Sequence, residues 1–293
     1  MRAPSLIWSN SLIALAAASA SLHSLSPGIY SEFSLSQFQL SAAIAIGIGA
    51  WTWIAYGLHR WVKFKRPGRM HATERGWLLR NKNAFLLGGG FALALSVLPV
   101  AVAVTTGRWS GLLWGALAAG ITLLYSGFPK PSQSLANPRN FSFALREFPG
   151  AKLWAISAAW ALSTAALPMA YAGFSAYDPA LWAATGARFL VICALTIPFD
   201  IRDLELDDPA MRTLPQSIGP RAASRCALVM LGVAGLLHSF LGALSDGGIA
   251  ATWAVYAVMA AVILWAPSEH PHRRYGLLDA TLLLLGPAAW IFC

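Results

Sequence analysis

An all-α, polytopic membrane protein of about nine transmembrane helices is the fold class that three observations predict. Charged residues are 11% of the chain against roughly 25% in a soluble domain, mean hydropathy is +0.58, and apolar runs of about 20 residues recur along the whole length. Crossing ~30 Å of hydrocarbon takes ~20 helical residues, so 293 residues hold nine spans and their connections, with no soluble domain of useful size. The runs are too long for barrel strands and lack two-residue alternation, so each satisfies its backbone best within a helix.

The apolar windows place spans at 5–25, 36–58, 83–104, 109–126, 151–173, 180–199, 222–244, 248–266 and 275–292, in a single domain covering 1–293. The first window has two readings, because Arg2 precedes an apolar stretch ending in the small residues Ala17-Ala18-Ser19-Ala20, as in a cleavable signal peptide. Charge parity favours a retained helix. The second window runs into the basic stretch Arg60, Lys63, Lys65, Arg66, Arg69, Arg75, Arg80 and Lys82; the fourth into Lys130, Arg139, Arg146 and Lys152; the sixth into Arg202, Arg212, Arg221 and Arg225; the eighth into Arg273 and Arg274. The opposite connections hold only Arg108. Positive residues stay inside, so loops at about 59–82, 127–150, 200–221 and 267–274 are expected in the cytoplasm. The N-terminus is then cytoplasmic and Cys293 outside, in a bacterial inner (plasma) membrane. Gly88-Gly89-Gly90 lies inside the third window without the strand, loop and Lys of a phosphate loop, and reads as close helix packing.

The net charge of +9 is divided among four membrane-bounded loops without any RNA or DNA motif, which argues against nucleic acid and for anionic lipid headgroups or a phosphorylated substrate. Cys193, Cys226 and Cys293 have no paired spacing, so neither a disulfide framework nor a zinc site is expected. His270 and His272 form a loop pair with no further ligand in sequence, and the thirteen Trp residues fit interfaces and packing.

The most informative stretch follows the sixth window, where five of the twelve acids, Asp200, Asp203, Glu205, Asp207 and Asp208, fall within nine residues. If the helix continues, Asp200, Asp203 and Asp207 stand at i, i+3 and i+7 on one face. Like charges so placed repel and call for a cation. Mg2+ suits the need, since it takes one or two carboxylates and fills its octahedron with water and phosphate oxygens. A solvated loop whose acids pair with Arg202 and Arg212 is the plainer alternative.

Asp200-x-x-Asp203-x-x-x-Asp207, followed by Met211-Arg212-Thr213-Leu214-Pro215 and Ile218-Gly219, resembles the second aspartate motif of the UbiA superfamily of intramembrane prenyltransferases. Tyr125 to Lys130 resembles a degraded form of the family's Y-x-x-x-K-R segment, and Leu145-Arg146-Glu147-Phe148-Pro149 through Lys152 and Trp160 is similar to a divergent bacterial branch. The first family motif, N-D-x-x-D-x-x-x-D at the end of helix 2, is degenerate: Ala55, Tyr56, His59 and Lys63 stand at its positions, with the accompanying Arg kept as Arg60.

The resemblance implies nine helices, a cytoplasmic N-terminus and transfer of a prenyl group from a prenyl diphosphate to a lipophilic or aromatic acceptor. It makes Asp200, Asp203 and Asp207 the Mg2+ ligands and catalytic carboxylates. Lys130, Arg146, Lys152 and Arg212 become diphosphate contacts. Arg60 and Lys63 are expected to supply positive charge where a second metal would sit, with His59 as a further contact. Tyr125 marks the neighbouring family segment. Arg188, near the middle of the sixth window, must face the bundle interior, as a tunnel residue or an internal hydrogen-bonding group. Asp279, early in the ninth, either accepts a bond from a cytoplasmic Arg or touches the acceptor. A repurposed UbiA-like binding or assembly protein is the second reading. A transporter is the third, with acids at a helix end rather than at the midplane and no repeat to support it.

Overall fold

The computed structural model describes residues 6–25, 35–65, 72–126, 145, 148, 150–204, 211–240, 246–265 and 277–291. Among them every regular element is helical. We number α1 Leu6–His23, α2 Leu35–Lys65, α3 Ala72–Arg80, α4 Lys82–Leu95, α5 Leu98–Thr106, α6 Ser110–Ser126, α7 Ala151–Ala172, α8 Pro179–Arg202, α9 Leu214–Ile218, α10 Pro220–Phe240, α11 Asp246–Trp265 and α12 Leu277–Ile291. Six described segments are long and apolar enough to cross a membrane: Ser36–Trp61, Lys82–Thr106 (α4 with α5), α7, α8, Pro220–Ser239 and Gly247–Trp265. Ser110–Tyr125 and α12 are shorter apolar helices, and α1 has 18 residues. These nine described segments fall on the nine predicted windows. The helix at the second window continues to Lys65, past the predicted end at 58, and α3 adds a short helix inside the basic connection.

Proline explains the local irregularities. A proline lacks the N–H that its i−4 carbonyl expects, and in a membrane helix that carbonyl must find another donor. In α7, Pro168 leaves the Thr164 carbonyl, the helix widens to a π turn at Leu162–Ala166, and the Ser24 hydroxyl donates to Thr164 O at 3.0 Å. Between α4 and α5, the chain turns at Ser96-Val97 ahead of Pro99; Trp51 Nε1 donates to Ser96 O at 2.9 Å and the Tyr171 hydroxyl to Pro99 O at 2.7 Å. Arg108 donates to the Tyr171 carbonyl, so this lone basic residue of its connection caps the end of α7. Asp178 caps α8, its Oδ1 accepting from Ala180 N at 2.8 Å ahead of Pro179.

Helices α7 and α8 are the most enclosed, while α4 and α5 keep Leu87, Phe91, Leu93 and Val104 outward, as a lipid-facing layer does. The main core joins α8 to α10, α11 and α12 through Val191, Leu195, Leu231, Met259 and Leu282. A second joins α1, α2, α5, α6 and α7 around Ile48, Trp114, Leu167 and Tyr171. Gly111 lets α6 approach α7: a Cβ there would lie 2.4 Å from the Tyr171 ring, a distance that no packed pair tolerates. The result places the last turn of α8 against the first turn of α7.

Candidate functional site

The acidic end of α8 begins with Pro198 inside the helix and Asp200 turned inward. Asp200 is 1% exposed, and Lys152, on the first turn of α7, sets its Nζ 2.8 Å from Asp200 Oδ1. The start of α7 is tied to the far side of the motif, because Gly150 N–H donates to Met211 O at 2.8 Å. Gly150 adopts φ 72, a left-handed conformation that glycine takes without strain. Arg212 adopts φ 44 without being glycine, a strained geometry of the kind that collects at ligand clamps. Thr213 N–H then donates to Gln216 Oε1 at 2.8 Å and Ser217 Oγ to Thr213 O at 3.1 Å, fixing the turn into α9.

These groups enclose a cavity of about 130 Å³ lined by Lys152, Asp200, Arg212, Thr213 and Ser217, with Trp154 and Met230 as apolar wall. A wider opening of about 560 Å³ beside it is lined by Leu204, Arg212, Gln216 and Ser217. A carboxylate, an ammonium, a guanidinium and two hydroxyls thus converge on one small volume. That set suits a phosphorylated head group, with or without a metal ion.

Of the predicted carboxylate face, Asp200 and Asp203 lie among the described residues. α8 stops at Arg202, and Asp203 is its C-cap, its N–H bonding Phe199 O at 3.0 Å. Asp203 is chelated by its neighbour, Arg202 Nε and Nη2 donating at 2.6 and 2.8 Å to its two carboxylate oxygens. Repulsion between adjacent acids favours that arrangement over a continued helix that stacks them. Asp207 lies outside the described residues, as do Lys130 and Arg146. Among the described residues no three His, Cys, Asp or Glu side chains stand together as a ready metal cluster. Asp200 and Asp203 nonetheless match the one or two carboxylates that Mg2+ takes when phosphate and water complete its shell.

On the other side, the end of α2 carries the altered first motif. Arg60 Nη2 donates to Ser9 Oγ at 2.8 Å on α1, and His59 is half-buried. Lys63 is on α2, its side chain outside the described set. Tyr56 takes a hydrogen bond from Trp160 of α7. Tyr56 and Trp160, not picked out as site residues in the sequence, join α2 to α7. Thr213 and Ser217 were also missed as lining groups; only their place just after the acidic motif could have signalled them. Arg188 is buried roughly three turns up α8 from Asp200, about 18 Å away along the axis, and takes no part in this cavity.

Structural comparison places this arrangement in a known fold. A UbiA homologue from Archaeoglobus fulgidus bound to DMAPP and Mg2+ superposes with a TM-score of 0.54 over 98% of each chain, at 16% identity. The same homologue bound to GPP and Mg2+ gives 0.55 over 97% of each chain, and its Cd2+-bound form 0.56, also at 16% identity. This chain has the UbiA fold. The UbiA likeness covers nearly the whole length of the chain. No protein-family model matches the chain, and no curated protein is similar to it in sequence. Within this UbiA-fold chain, Lys152, Asp200 and Arg212 line one pocket.

Proposed function

We propose that this protein binds a prenyl diphosphate with its head in the Lys152–Asp200–Arg212 pocket and transfers the prenyl group to a lipophilic or aromatic acceptor within the membrane. The observation that carries the reading is the pocket itself: buried acid, paired lysine and strained arginine at the second-motif position of a UbiA-fold chain. Lys152 and Arg212 bind the diphosphate, joined by Lys130 and Arg146 of the same connection, and Arg60, Lys63 and His59 extend positive charge from the first-motif side. Asp200, Asp203 and Asp207 would hold Mg2+, which supplies stabilisation of charge on the leaving diphosphate.

In the reaction the allylic carbon–oxygen bond breaks and its electron pair leaves with the diphosphate. Lys152 and Arg212 contacts strengthen as that charge develops, which lowers the barrier. The apolar wall keeps water from the allylic cation until the acceptor forms its bond to that carbon and loses a proton. Tyr56, Tyr125 and Asp279 border the acceptor side. The test is Mg2+-dependent release of diphosphate from geranyl or farnesyl diphosphate by purified protein; release that occurs only with Mg2+ and grows with added acceptor supports transfer. Binding without release favours the second reading, a repurposed UbiA-like binding protein, to which the loss of every first-motif carboxylate on α2 also points.

Arg212→Gly separates clamp from fold. Glycine accepts φ 44 freely, so the unfolding free energy stays level or rises by about 1 kcal/mol while prenyl diphosphate affinity drops about tenfold. Equal affinity in the variant removes Arg212 from the site.

Our reading of orientation is that the chain is one domain in the plasma membrane, with loops 59–82, 127–150, 200–221 and 267–274 and the N-terminus cytoplasmic. A membrane-impermeant maleimide then labels Cys293 in intact cells of a Cys226→Ser background. Labelling only after lysis reverses the orientation.

A further inference from the structure

We propose that the buried guanidinium of Arg188 holds a small monoanion, a halide or a carboxylate group, at a site of its own about 18 Å along α8 from the Asp200 pocket. Four helices meet there: α8 brings Arg188, α1 and the turn after it bring His23 and Ser24, α10 brings His238, and α11 brings Thr252 and Tyr256. Arg188 is 1% exposed and the two histidines are buried with it. Its Nη2 donates to Ala20 O at 2.8 Å and reaches His23 Nδ1 at 3.4 Å and Ser24 Oγ at 3.5 Å. Among the described residues, its Nε and Nη1 find no acceptor.

The described groups in contact with it supply dipoles and no negative charge. The Thr252 hydroxyl donates to Gly248 O at 2.9 Å, so in its 3.2 Å contact with His23 the Nε2–H is the donor and Nδ1 keeps a lone pair toward Arg188. His23 is therefore a neutral imidazole. Ser24 donates to Thr164 O, and the Tyr256 hydroxyl lies 2.8 Å from His238 Nδ1. His238 stacks edge-on to His23 with ring centroids 4.8 Å apart. The ion pairs among the described residues, Lys152 with Asp200 and Arg202 with Asp203, are at the other end of α8. A guanidinium does not deprotonate in a protein, and a charge enclosed by apolar helices is costly unless another charge faces it. Water would satisfy the idle N–H groups and leave the charge uncompensated. A monoanion does both, and it would lock α1 against α8, α10 and α11.

The experiment is thermal unfolding of purified protein at fixed ionic strength in sodium gluconate, chloride or acetate, for the parent and for Arg188→Gln. The site predicts a saturable rise of about 2–5 °C in chloride or acetate over gluconate, lost in Arg188→Gln and kept in Lys152→Met. A rise in chloride identifies a halide site, and a rise confined to acetate identifies a carboxylate site. Equal midpoints in all three anions, or a rise that persists in Arg188→Gln, overturn the proposal. If Arg188→Gln does not fold, ³⁵Cl line broadening by the parent, relieved by bromide or acetate, supports it, and its absence together with flat midpoints refutes it.

Discussion

Asp200→Asn is expected to lower Mg2+-dependent diphosphate release at least about 100-fold while leaving a folded protein. The amide keeps the shape of the carboxylate in a position that is 1% exposed, so packing against α7 is retained. What changes is charge. Lys152 keeps 18% of its side-chain surface open and stays hydrated without its partner, so the cost falls on the ligand rather than on the fold. Asp203→Asn is expected to do less, because Asp203 is more exposed and already chelated by Arg202. Initial rates of diphosphate release for the two variants decide the ranking; equal rates for Asp200→Asn and parent take Asp200 out of the chemistry.

Lys152→Met is expected to move two quantities in opposite directions. Prenyl diphosphate affinity falls about 10–100-fold, the loss of one charge-assisted contact. Mg2+ alone binds more tightly, because the ammonium 2.8 Å from Asp200 Oδ1 and a metal ion compete for the same carboxylate. Midpoints of thermal unfolding across a Mg2+ titration give the second quantity, and ligand titration at saturating Mg2+ the first. A variant whose midpoint responds to Mg2+ no more than the parent's shows that Lys152 and the metal do not share Asp200.

The helical architecture was readable because lipid leaves a chain few choices. A run long enough to span hydrocarbon must be helical, and the windows at 83–104 and 180–199 became α4–α5 and α8. Prolines 99 and 168 were equally visible, yet the π turn of α7 depends on Ser24, more than a hundred residues earlier, supplying a donor to Thr164 O. The same limit applies at the site. The spacing of Asp200, Asp203 and Asp207 suggested one carboxylate face, but not that Arg202 would chelate Asp203 at the C-cap of α8. Lys152 was a candidate only through resemblance, since nothing local connects it to Asp200; the hydrogen bond from Gly150 to Met211 brings those segments together. Tyr56 and Trp160 meet across α2 and α7 for the same non-local reason.

Mg2+-dependent binding of geranyl, farnesyl and longer prenyl diphosphates to the purified protein, beside an Asp200→Asn/Asp203→Asn variant, tests the central claim most directly. The account predicts saturable binding by the parent that weakens with EDTA and is lost in the variant. No binding by the parent at any chain length, or the same affinity in both proteins, would contradict it.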